Sequence, residues 1–202
     1  MKKVGRLGAA CILLTVLLSG CGQVEIPDDV KEPALAITDG GQVTACLVGE
    51  FNKFYYDLDE LAEMAKAEAA AYGGALGETA PVRVDGVKAA DDDSDRVVVT
   101  YIFSSPENYE GFTGETLFYG TVSEAVAKGY SMVSLQNVKE EKVLTPAELL
   151  LESQRHLIVT KTAAVIYCPD KVTHISQGAV LNQDGSVDAS GAEGLIYILL
   201  KK

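Results

Sequence analysis

The chain changes pattern three times. Lys2, Lys3 and Arg6 lead into an almost wholly apolar run from Leu7 to Leu18. That run suits the core of an export signal and is short of the ~20 residues of a membrane-spanning helix. A polar stretch with two prolines, Gly22 to Pro33, reads as a spacer, whose twelve residues would reach about 40 Å when extended. From Ala34 onward, short apolar-polar alternations and helical periods take turns.

"ALAIT" and "QVTACLV" flank Asp39-Gly40-Gly41 and predict a β-hairpin. The clearest helix follows Asp57, with Glu60 in a capping-box position and Tyr56 and Leu61 at staple spacing. Leu58, Leu61, Ala65, Ala69 and Tyr72 form its apolar stripe, and Gly73-Gly74 is the expected stop. Val82–Ala90 and Arg96–Phe103 predict two strands joined by the acidic turn Asp91 to Asp95. "VVVTYIF" is apolar on both alternating faces, so it needs cover on both sides. Ser105-Pro106 predicts a short helix ending at Gly111, "ETLFYG" a strand, and Thr121 with Glu124 another capped helix. "SMVSLQNVKEEKVL" predicts one or two strands, and Thr145-Pro146 with Glu148 a third short helix. Six short strands then close the chain as a β-meander. The last, Leu195 to Leu200, is apolar on both faces and is expected to be central.

The fold class implied is α+β: a mixed or antiparallel sheet, one main helix and several short ones, closing in a C-terminal β-meander. The expected organisation is a leader over 1–20, a modified cysteine and spacer over 21–33, and one globular unit over 34–202 with a sub-boundary near 145–155.

Charge and cysteines narrow the setting. The chain carries 17 basic and 29 acidic residues, and the leader holds basic ones alone, so the remainder is more acidic still. A strongly negative surface disfavours nucleic acid and anionic lipid. Leu18-Ser19-Gly20-Cys21 resembles the lipobox of bacterial lipoproteins, in which the cysteine sulfur is acylated and cleavage leaves Cys21 first. Stable anchoring takes two or more acyl chains, which a diacyl or triacyl cysteine supplies. Cys46 and Cys168 each lie in an apolar run; two buried thiols are the expectation, and a disulfide the alternative.

Candidate chemistry is sparse. His156 and His174 lack a second histidine at metal spacing and read as exposed strand residues. No catalytic residue, metal site or cofactor is expected. Asp91, Asp93 and Asp95 repeat like a calcium loop, but Arg96 stands where its glycine belongs and Ile102 where its glutamate belongs. A solvated turn is the simpler reading. Core packing accounts for most aromatic residues. Tyr109 and Tyr119, beside loops, are the least explained by it and are the candidates for contacting a cell-envelope glycan or peptide.

The leader, "FNKFYYDLDELAEM", "YIFSSPENYEGFTGETLFYGTVSEAVAKGY" and "KVTHISQGAVLNQDGSVDASGAEGLIYILLK" together resemble small lipoproteins of gut Firmicutes. The resemblance implies an envelope address and one compact α+β unit, and brings no catalytic residues with it. The expectation is a lipid-anchored protein on the extracytoplasmic face of the cell membrane, serving as a non-catalytic binding or structural module. The alternatives are an envelope enzyme with a dispersed active site and a small solute-binding lipoprotein.

Overall fold

The computed structural model describes residues 24–90 and 93–201. Two sheets face each other. Sheet A has the order β11-β12-β9-β1-β2-β4-β3, and sheet B the order β5-β8-β13-β10-β6-β7. The strands of sheet A are β1 (Ala34–Ile37), β2 (Val43–Glu50), β3 (Val82–Ala90), β4 (Asp93–Phe103), β9 (Val165–Tyr167), β11 (Val180–Leu181) and β12 (Val187–Asp188). Those of sheet B are β5 (Leu117–Thr121), β6 (Leu135–Asn137), β7 (Val143–Leu144), β8 (His156–Thr160), β10 (Val172–Ile175) and β13 (Ile196–Leu200). Sheet B is antiparallel throughout, and sheet A is mixed because β1 runs parallel to β9. The α+β class therefore holds.

The six closing strands are all present, and the topology adds what their sequences did not carry. β8, β10 and β13 go to sheet B, whereas β9, β11 and β12 go to sheet A. The chain crosses between sheets instead of turning back within one.

Strands apolar on both faces are buried on both faces. In β13, Ile196, Ile198 and Leu200 enter the core between the sheets, while Tyr197 and Leu199 enter a second cluster. That second cluster lies under α3 (Val122–Ala127) and α4 (Pro146–Leu151), which contribute Val122, Ala125 and Leu149. β13 lies between β8 and β10, as its pattern predicts. Both short helices carry complete capping boxes, Thr121 with Glu124 and Thr145 with Glu148. Each box satisfies two end groups that the helix cannot pair itself.

The main helix, α1 (Leu58–Leu76), is capped by Asp57, whose carboxylate accepts from the backbone N–H groups of Asp59 and Glu60. It rests on β3 through Ala65 and Ala69. Two glycines read as helix stops have another role. α1 continues past Gly73 to a left-handed cap at Gly77, and α2 (Pro106–Thr113) continues past Gly111 to one at Gly114. A Cβ on Gly73 would sit 3.1 Å from the Pro81 ring, and one on Gly111 would collide with the Tyr72 hydroxyl. These glycines allow close approach, and the caps come later.

The outer face of β4 is covered from an unexpected source. Residues 24–33 fold back over sheet A, and Ile26 and Val30 pack with Ala34, Cys46, Ala90, Val98 and Val165. Lys88 donates to the Asp28 carbonyl at 2.9 Å, and Arg96 to the Lys31 carbonyl at 2.7 Å. The expected spacer is thus part of the folded structure from Val24 onward. Its three apolar side chains, Val24, Ile26 and Val30, are few enough to vanish in a polar composition, yet two of them complete a cluster.

Candidate functional site

Tyr109 and Tyr119 have different surroundings. Tyr109, only 1% exposed, is a core residue at the heart of an aromatic cluster. Its hydroxyl lies 3.1 Å from that of Thr162, and its ring meets Phe103 edge-on at 5.3 Å. Desolvation raises its pKa. Packing accounts for this side chain. Tyr119 is half-buried on β5, with its ring stacked on His156 at 5.2 Å. Burial first, then the charges of Asp39 and Asp170, hold its phenol above the ordinary value. These neighbours come from the β1–β2 turn and the β9–β10 connection, so Tyr119 marks a place where both sheets send loops.

His174 corrects the reading of both histidines as exposed. It is buried on β10 inside a polar network that joins three strands of sheet B. Its Nδ1 lies 3.0 Å from the Thr173 hydroxyl, and its Nε2 3.3 Å from the Asn137 amide nitrogen. The Thr173 hydroxyl donates to the Leu199 carbonyl at 2.9 Å and accepts from Arg155. Arg155 also donates to the Leu200 carbonyl at 2.9 Å. Because the Asn137 amide is a donor, Nε2 must accept and Nδ1 carries the proton, which fits a neutral ring. Burial, and then the Arg155 guanidinium, lower the His174 pKa.

The thiols are both free. Cys46 Sγ lies 3.5 Å from the Thr100 hydroxyl, and desolvation raises its pKa. Cys168 is half-buried as a residue, yet its thiol turns inward, where burial pushes the pKa up to about 12. Such a group stays protonated and is a poor nucleophile.

Two expectations fall outside the described residues. Cys21 lies before Val24, and Asp91 and Asp92 lie between β3 and β4. Among the described residues, no group of three or more His, Cys, Asp or Glu side chains is arranged to hold a metal ion.

A groove lies between residues 24–30 and the outer face of sheet A. It has a volume of about 450 Å³. Thr44, Thr100 and Cys46 line it beside Ile102, and Arg83 and Asp85 form an ion pair of 2.7 Å at one side. Hydroxyls next to apolar wall and a mixed set of charges, Arg83 with Asp85 and also Glu25, Asp28 and Lys88, suit a polar ligand with an apolar side. Sequence alone missed this groove because its lid is the segment read as spacer. The signal was there in β4, whose apolar outer face required something to cover it.

The fold and groove define a two-sheet α+β protein with a strap-covered outer face. No family model, curated protein or solved structure matches the chain.

Proposed function

We propose that this chain is a lipid-anchored protein of the extracytoplasmic face of the cell membrane, acting as a binding or structural module without catalysis of its own. The observation that carries the reading is the order of basic residues, apolar run, small residues and cysteine that ends in Leu18-Ser19-Gly20-Cys21. The resemblance to small lipoproteins of gut Firmicutes points the same way. Both histidines have structural partners: His156 stacks on Tyr119, and His174 is tied to Thr173 and Asn137. The groove over sheet A is the proposed seat of the ligand, an envelope glycan or peptide.

The anchor is tested by detergent phase partition and the mass of the mature N-terminus. Wild-type protein should partition with detergent and begin at an acylated Cys21, and Cys21→Ala should leave an uncleaved or soluble precursor without acyl mass. An unmodified N-terminus downstream of Cys21 overturns the anchor. For the groove, a thermal-shift screen of glycan fragments and peptides should give ligands whose shift is lost in Thr100→Val. Shifts indifferent to that exchange would move the binding site elsewhere.

A further inference from the structure

The turn between β2 and α1 exposes rings that the fold does not use. Phe54 is 99% exposed, and Tyr55 and Tyr56 are exposed beside it. The rings pack on one another: Phe51 on Tyr56 at 5.0 Å, Phe54 on Tyr55 at 5.2 Å and Tyr55 on Tyr56 at 5.1 Å. The loop is pinned at its base, where the Phe51 N–H donates to the Asp95 carbonyl, and it turns where the Tyr56 N–H donates to the Lys53 carbonyl. A preformed aromatic tip in water is costly unless something receives it.

We infer that this tip, Phe51 to Tyr56, dips into the interface of the bilayer that holds Cys21, giving the protein a second membrane contact and a fixed orientation; the inference rests on the lipid-anchor reading above. Length is the first argument. Val24 is already seated on sheet A, so three residue steps separate it from Cys21, a reach of roughly 10 Å. The anchor therefore draws the body itself to the membrane. The second argument is position. The strap lies on the outer face of sheet A, its Lys31 carbonyl is held by Arg96, and Arg96 pairs with Glu50, the residue before Phe51. The late part of the strap thus lies by the aromatic tip at one end of β2, while Val24 lines the groove with Thr38, Gln42 and Ile102 toward the other end, so anchor and tip bracket the outer face of sheet A. The third is chemistry. Tyrosine and phenylalanine have an apolar body, and tyrosine a polar tip as well, which is the make-up of side chains enriched at the bilayer–water boundary. Glu50 and Asp57 flank the tip and Lys53 lies within it, so the contact is hydrophobic and should depend little on salt, unlike a polybasic membrane contact.

The chain has no tryptophan, so one introduced residue is a unique fluorophore. Phe54→Trp is made in the full chain, its Cys21 acylation established by mass, and reconstituted in phosphatidylcholine vesicles carrying lipids brominated near the headgroup. Leu151→Trp is the control. Leu151 is 84% exposed on α4, which covers the outer face of sheet B on the far side of the molecule from the strap. The expected result is a blue shift and quenching for Phe54→Trp and neither for Leu151→Trp. In an unanchored Cys21→Ala chain made without residues 1–20, Phe54→Ser should lower vesicle affinity by at least about tenfold. Absent quenching at Phe54→Trp on a chain of proven acylation overturns the insertion while leaving the anchor intact. Equal quenching at both sites overturns the orientation. A blue shift seen in native envelopes and missing in pure lipid means a protein partner, and overturns the proposal too.

Discussion

Two groups of aromatic rings of similar composition meet opposite fates. Tyr101, Phe103, Tyr109 and Phe112, joined by Tyr72 from α1, form a continuous cluster in and beside the core between the sheets. Phe51, Phe54, Tyr55 and Tyr56 also touch one another, yet they stand in a turn with three of the four exposed. The difference lies in backbone period. Tyr101 and Phe103 alternate along a strand, so one sheet face collects both, while α2 brings Tyr109 and Phe112 down on them. The four turn residues have no regular period, and no single face gathers them. Aromatic content therefore says little about burial until the period is known.

This contrast can be broken by mutation. The largest effect is expected at Phe103, which is fully buried. Phe103→Ala should cost about 3–5 kcal/mol through lost burial and the cavity left behind. Urea denaturation reads it, and a loss below about 1 kcal/mol would mean that the ring cluster is not structural. Tyr109→Phe keeps the ring and removes the hydroxyl that meets Thr162, so about 1 kcal/mol should be lost.

The histidine pair extends the comparison, and here pH is the variable. The folded His174 pKa lies below the ordinary 6.5. Between those two values the unfolded chain binds more protons. The His174 contribution is therefore complete above 6.5 and is lost as pH falls through the lower folded value. Melting temperatures measured across this window should decline with falling pH, and the decline should be shallower in His174→Gln. An identical slope in the variant would assign the acid sensitivity to other groups. The smallest effect is expected at the tip. Phe54→Ser should change unfolding free energy by less than about 0.5 kcal/mol, as exposed sites do. A loss comparable to that of Phe103→Ala would show that the two ring groups are one core.

The parts of the fold that were legible in sequence are those with strong local chemistry. Thr121-Glu124 and Thr145-Glu148 announce their helices because capping involves neighbours in the chain. Ile196–Leu200 announces its central place because both of its faces are apolar. Gly73 and Gly111 misled because a glycine that admits Pro81 or the Tyr72 hydroxyl looks the same in sequence as one that ends a helix. Strands as short as Val180–Leu181 and Val187–Asp188 carry too few side chains to name a sheet. At the site, the difficulty was distance along the chain. Nothing near Tyr109 mentions Thr162, and nothing in the segment before Ala34 mentions Val98, the residue that Ile26 and Val30 help to cover.

The dealing of the closing strands to both sheets has a kinetic consequence. β1 gains its second neighbour only when Ala34 meets Val165, and sheet B gains its middle only when Ile196 meets Thr160. Neither sheet contains a contiguous stretch of chain able to complete itself, so large loops must close before either is rewarded. Such a topology has high contact order and belongs with domains that fold in milliseconds to seconds. The connections that make the final structure one piece also delay its formation, and they leave little reason for either half to persist folded without the other.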